Sequence, residues 1–184
     1  MNILILGMII FIGIHLVPCS PSFKAGIVNK MGDKGYKTMF SLASFIGLGL
    51  IIYGFGTATV VPVYDPPGWG RSFAMIIMIP ALILLPAANM PTNIKRFVRH
   101  PMLLGTAFWA AAHLAANGDK TSLVLFGGLG IYAIFDIWSA NARGAKKSTE
   151  PVPIVKDVMV VAAGLVAYAL FRHFHGSLFG APLA

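Results

Sequence analysis

The chain has 184 residues, 57% of them hydrophobic and only 11% charged, with a formal net charge of +8. Soluble domains carry about a quarter charged residues, so a mean hydropathy of +0.79 places this chain among integral membrane proteins. A single cysteine excludes an internal disulfide framework, and the basic excess finds its place in membrane topology, so nucleic acid is not needed to account for it.

The opening "MNILILGMIIFIGIHLVP" reads as a retained first span over 2–18. The following "LVPCS" has Pro18 where a lipoprotein cleavage site needs a small residue, and no basic region precedes it, so Cys19 is read as a small apolar filler. "PSFKAGIVNKMGDKGYK" (21–37) is polar and basic with apolar spacing, which predicts a short interfacial helix or loop. A second span covers 38–56. The Gly- and Pro-rich "GTATVVPVYDPPGWGR" (56–71) cannot be regular helix throughout.

A third span, 72–90, carries Pro80 and Pro86, which predict kinks. The fourth, 101–117, opens on Pro101, a residue suited to the first turn of a helix. Spans over 121–140 and 154–171 complete the set, each near the length that crosses a bilayer. "GLGLIIYGFG" (47–56) and "GGLG" (127–130) predict close helix packing, because small residues let backbones approach in lipid. The expected fold is all-α, a bundle of six transmembrane helices with an interfacial helix after the first, forming a single domain over 1–184.

The cations orient it. Lys24, Lys30, Lys34, Lys37, Lys95, Arg96, Arg99, Arg143, Lys146, Lys147 and Lys156 fall in the odd-numbered connections, leaving Arg71, Lys120 and Arg172 for the other side. Cytoplasmic loops collect Lys and Arg, so both termini are expected on the outer, periplasmic side.

Polar groups within spans are costly and therefore point to function. They are His15, His100, His113, Asp136 and Asn117. On a helix His113 shares its face with Thr106, Trp109, Ala110, Ala116 and Asn117, mostly small residues that leave clearance beside a ligand. Imidazole is a common axial ligand of haem iron, and a helical bundle supplies a dry shell for a b-type haem. A hydrogen bond from His113 to a neighbouring helix is the alternative.

His100, in "RFVRHP", lies about 20 Å along the helix axis from His113. Together Arg99 and His100 suit an anionic group, a haem propionate or a lipid phosphate, or simple interfacial snorkelling. Asp136 lies at a similar depth, and an ion pair there is expected. His173 and His175, two residues apart, point to different helix faces and are read as interfacial. No nucleophile–base pair, phosphate loop or CxxC motif appears.

The stretches "GIHLVPCSPSFKAGIVNKMGDKGYKTMFSLASFIGLGLIIYGFG" and "RHPMLLGTAFWAAAHLAANGD" resemble the NnrU family, bacterial membrane proteins associated with nitrite and nitric oxide reduction in denitrifiers. The resemblance covers nearly the whole chain. The same domain is similar to that of the plant 15-cis-zeta-carotene isomerase, a haem b membrane enzyme. By that resemblance the two axial ligands match His15 and His113, while the "RHP" histidine matches His100. Depth along the membrane normal pairs His15 with His100 instead, which makes His100 the rival ligand.

The resemblance implies a haem b protein of the bacterial inner membrane that supports nitrogen-oxide respiration by redox sensing, electron transfer or isomerase-like chemistry. A non-enzymatic assembly or regulatory factor for the nitrite and nitric oxide reductase machinery is the alternative, and a haem-dependent polyene isomerase a further one. "RHP" also occurs in isoprenylcysteine methyltransferases, but here "MLLG" follows and residues 158–184 hold no carboxylate side chain, so methyl transfer is not expected.

Overall fold

The computed structural model describes residues 1–180; the last four residues of the expected domain lie outside the described residues. The elements in chain order are α1 (Asn2–Leu16), a 3-10 turn (Val17–Cys19), α2 (Pro21–Gly56), α3 (Gly70–Asn89), α4 (Ile94–Phe97) and α5 (Pro101–Ala116). Then α6 (Lys120–Ser122), a π-helical segment (Leu123–Gly127) and α7 (Gly128–Ala142) form one apolar run, and α8 (Ile154–Phe179) closes the chain. Among the described residues extended pairing is limited to an isolated bridge between Pro62 and Asp119.

Five of these helical runs are long and apolar enough to cross a membrane: Asn2–Cys19, Pro21–Gly56, Gly70–Asn89, Lys120–Ala142 and Ile154–Phe179. The helix expected to be the fourth span is apolar but shorter, 16 residues. At 1.5 Å per residue it is about 24 Å long, against a hydrocarbon core of about 30 Å.

The segment 21–37 is helical and runs on into the second span, so that α2 has 36 residues. Its one break is Gly32, at φ 75° and ψ 167°, a conformation open in practice only to glycine. Asp33 and Lys37, one turn apart and joined at 2.6 Å, help the polar part past that break stay helical. α3 likewise continues through Pro80 and Pro86.

The chain forms two compact units. The first holds Met1–Val63 and Asp119–Gly128. In it α1 and α2 pack as an antiparallel pair, with Leu4, Met8 and Ile51 buried. A Cβ on Gly47 would meet the Phe11 backbone at 2.9 Å, and one on Gly54 would strike the Leu4 backbone. The two contacts are seven residues apart on each helix, so the small residues make a repeating seam along which the backbones touch.

The second unit holds Tyr64–Gly118 and Leu129–Ala184. Here α3 packs against both α5 and α8, burying Ala81, Leu82, Leu84 and Ala87 with Ala110, Ala112 and Val160. α5 and α8 each run antiparallel to the helix they share, hence parallel to each other.

One carboxylate ties the polar end of this unit together. Asp157 Oδ1 accepts from Thr92 Oγ1 at 2.5 Å and from the Asn93 backbone N–H at 2.7 Å, and Asp157 Oδ2 accepts from Asn93 Nδ2 at 2.6 Å. Asn93 in turn bonds Val152 through both its amide atoms, at 2.8 and 3.0 Å. Thr92 is buried, so losing its acceptor leaves the hydroxyl proton without one. Asp157→Ala is therefore expected to lower the Tm of the purified protein by several degrees, and Asp157→Asn, which keeps one acceptor oxygen, by less. Equal melting of all three proteins in detergent would show that the network contributes nothing.

Candidate functional site

His15 is set by α1, near the end of a helix with no other ionisable side chain. Its Nδ1 lies 2.7 Å from the Phe11 carbonyl oxygen, one turn earlier. A carbonyl only accepts, so Nδ1 carries the proton and Nε2 is the ring's electron-pair donor. The Phe11 and Phe40 rings flank it, at centroid distances of 4.2 and 4.9 Å. Cys19 Sγ donates to the His15 carbonyl at 3.7 Å, consistent with a packing role for the thiol.

His113 repeats the device in the second unit. Its Nδ1 lies 2.8 Å from the Trp109 carbonyl oxygen, again one turn earlier, and the Trp109 ring stands 5.2 Å away. Ala110 and Ala112 beside it are buried. The end of α5 that carries His113 is fastened by a residue of the irregular 57–69 segment. Tyr64 Oη reaches the Leu114 carbonyl and, at 2.8 Å, the Asn117 carbonyl, while the Tyr64 N–H donates to the Gly118 carbonyl at 3.0 Å. These bonds occupy carbonyls that a helix end leaves without intrahelical partners. The aromatic loop thus fixes the helix turn from which His113 projects.

His100 has the opposite tautomer. Arg99 Nη1 donates to Asn141 Oδ1 at 2.6 Å, which orients the amide, since guanidinium only donates. His100 Nε2 lies 3.0 Å from that same oxygen and must therefore carry a proton. Arg99 and His100 together pin the start of α5 to the end of α7. The Asp136 carboxylate pairs with Arg143 at 3.1 Å, seven residues further along the chain, and accepts from Tyr132 Oη at 3.2 Å. Arg143 also donates to Ser139 Oγ.

His173 and His175 do point apart, as the i,i+2 spacing requires. His173 contacts Phe174, whereas His175 lies 6.5 Å, ring centre to ring centre, from His113, with the ring planes 25° apart. His175 thus lies beside the histidine singled out within α5, a neighbour that the sequence reading did not foresee. Depth would have found it. Parallel helices α5 and α8 carry these two side chains at nearly the same distance from their C-terminal ends.

Five apolar helical runs of spanning length, with two helical histidines whose Nδ1 lies against the backbone carbonyl one turn earlier, define a multi-span helical membrane protein. A family model described as "NnrU protein" matches residues 3–183, and the chain belongs to that family. No significant similarity links it to a curated protein. None links it to a solved structure.

Proposed function

We propose that this chain is a haem b protein of the bacterial inner membrane that supports nitrite and nitric oxide reduction. Six spans are proposed, α5 being the fourth, with 21–37 at the interface and both termini periplasmic. The observation that carries the haem reading is the Nδ1–carbonyl bond at His113, repeated at His15. Metal-ligating histidines commonly donate their second N–H to a carbonyl or carboxylate, which fixes the tautomer and raises the basicity of the ligating nitrogen. His113 meets that requirement at Nε2. His100 does not, because its Nε2 donates to Asn141.

The family resemblance assigns the other axial position to His15. Arg99 remains the cation best suited to an anionic group at the basic end of α5. When bound, the haem would supply a one-electron centre or a site for a small ligand. The chain's own contribution is to hold the imidazole ring in one tautomer, through the Trp109 carbonyl and the end of α5 clamped by Tyr64.

The test is the oxidised and dithionite-reduced spectrum of protein purified in detergent, with haem added if the preparation is colourless. Sharp reduced bands of a six-coordinate b-type centre are expected. A preparation that stays colourless after haem addition refutes the reading. If a haem-free variant lacking His113 still restored nitrite and nitric oxide reductase activity in the host, the chain would be an assembly or regulatory factor instead.

A further inference from the structure

We propose that the end of the second unit at which α5 and α8 begin binds the headgroup of an anionic phospholipid carrying two phosphates. Lys95 and Arg96 supply one pair of cations for it, and Lys146 and Lys147 the other.

The two pairs lie far apart in the sequence, and the fold makes them neighbours. Lys95 and Arg96 belong to α4, the short helix between α3 and α5. Lys146 and Lys147 belong to the 143–153 connection between α7 and α8. That connection is fastened at its start, its middle and its end. At its start α7 closes on Gly144, at φ 81°, with Gly144 N–H donating to the Asn141 carbonyl and Ala145 N–H to the Ala140 carbonyl, both at 3.0 Å. This glycine-ended cap turns the chain off the helix axis. In the middle, the Ser148 N–H donates to the Lys95 carbonyl at 3.2 Å. At the end, both amide atoms of Asn93 hold Val152. The bond at Ser148 sets the Lys147 backbone beside that of Lys95.

Their charges are not spent within the chain. The ion pairs found among the described residues, Asp33 with Lys37 and Asp136 with Arg143, use none of the four. Asp157 accepts from Thr92 and Asn93, and Glu150 is the acidic side chain of the connection itself. Arg96, Lys146 and Lys147 are exposed. Four cations held close together against one nearby carboxylate raise the local potential and favour an anion there.

The apolar neighbours select a lipid over a water-soluble anion. Phe97, next to Arg96, is 74% exposed, and Ile154, the first residue of α8, is 73% exposed. A free phosphate would leave both in water, whereas a phospholipid brings acyl chains together with its phosphates. Basic sites at the ends of spanning helices hold anionic headgroups in this way. The cations come as two pairs on two segments, which matches two phosphodiesters better than one.

The experiment titrates delipidated protein in detergent with diphosphatidylglycerol, phosphatidylglycerol or inorganic pyrophosphate and counts bound molecules by native mass spectrometry. Wild type is compared with Lys95→Gln/Lys147→Gln, Lys95→Arg/Lys147→Arg and Lys30→Gln/Lys34→Gln, the last removing equal charge from α2 in the first unit. Melting temperatures without lipid verify that each variant is folded. Wild type is expected to prefer diphosphatidylglycerol. Lys95→Gln/Lys147→Gln should weaken that binding about 25-fold, at about fivefold per cation. The arginine variant and the Lys30/Lys34 variant should bind as wild type does.

Wild-type affinity in Lys95→Gln/Lys147→Gln overturns the assignment. So does an equal loss in Lys30→Gln/Lys34→Gln, which would reveal general attraction to negative lipid. Phosphatidylglycerol held as tightly as diphosphatidylglycerol overturns the two-phosphate headgroup, and pyrophosphate held as tightly overturns the lipid.

Discussion

Replacing His113 with alanine is expected to abolish the b-type spectrum while leaving the protein folded. Loss of a residue that merely orients a metal ligand commonly lowers metal affinity by about 10- to 100-fold, and removing the ligand itself exceeds that range. The substitution is mild for the scaffold. Alanine is the best helix former, the position lies in "WAAAHLAA", and neighbouring Ala110 and Ala112 are already buried. Haem loss with an unchanged melting temperature of the haem-free protein is therefore the predicted pair of results. A His113→Ala protein with wild-type haem content and spin state would remove His113 from the site and, with it, the argument from tautomers.

That argument depends on local structure more than on tertiary contacts. A histidine inside a helix can turn its Nδ1–H back to the carbonyl one turn earlier, as Ser44 and Thr106 do with their hydroxyls. What differs at His15 and His113 is the result: the proton is fixed on one nitrogen and the lone pair on the other. At His100 the same ring is read the other way, because Arg99 dictates the amide of Asn141 and the amide dictates the ring. Three histidines that look equivalent in the sequence are thereby divided into two electron-pair donors and one proton donor at Nε2.

Most of the fold was legible because apolar runs of spanning length admit few structures. The six expected runs lie within helices of the structure, with ends moved by a few residues except at α2 and α8. α2 was extended because "KMGDKG" carries two breaking glycines yet only Gly32 leaves the helical region; the Asp33–Lys37 pair and Lys24 over the Tyr36 ring, at 5.4 Å, support the polar turns on either side. Nothing in a hydropathy pattern weighs such pairs. Asp157 escaped notice for a different reason. Its partners Thr92 and Asn93 lie more than sixty residues away, and one is a backbone N–H, which carries no residue identity. The approach of His175 to His113 was not foreseen, because the i,i+2 rule concerns His173 and His175 together and is silent on a neighbour from another helix. Asp136 was assigned by depth to Arg99 and His100, whereas its carboxylate pairs with Arg143, seven residues on.

Gly7→Leu is expected to disrupt the α1–α2 pair strongly. A Cβ at Gly7 would lie 2.7 Å from the Ile51 nitrogen, 2.9 Å from the Gly47 oxygen and 2.9 Å from Leu50 Cβ. Overpacking against side chains that can rotate costs about 1–3 kcal/mol. Here two of the three obstacles are backbone atoms, so relief requires the helices to separate along the seam that buries Leu4, Met8 and Ile51. The loss should therefore exceed about 3 kcal/mol, because the burial at that seam goes with the contact. Gly13→Leu is the matched control: the same helix and the same added side chain, but nothing within 4 Å of its Cβ. It should stay within about 0.5 kcal/mol of wild type. Thermal unfolding in detergent, followed by circular dichroism, separates the two. Equal losses at both positions would mean that leucine is disfavoured in α1 generally and that the glycine seam does not hold the helices together.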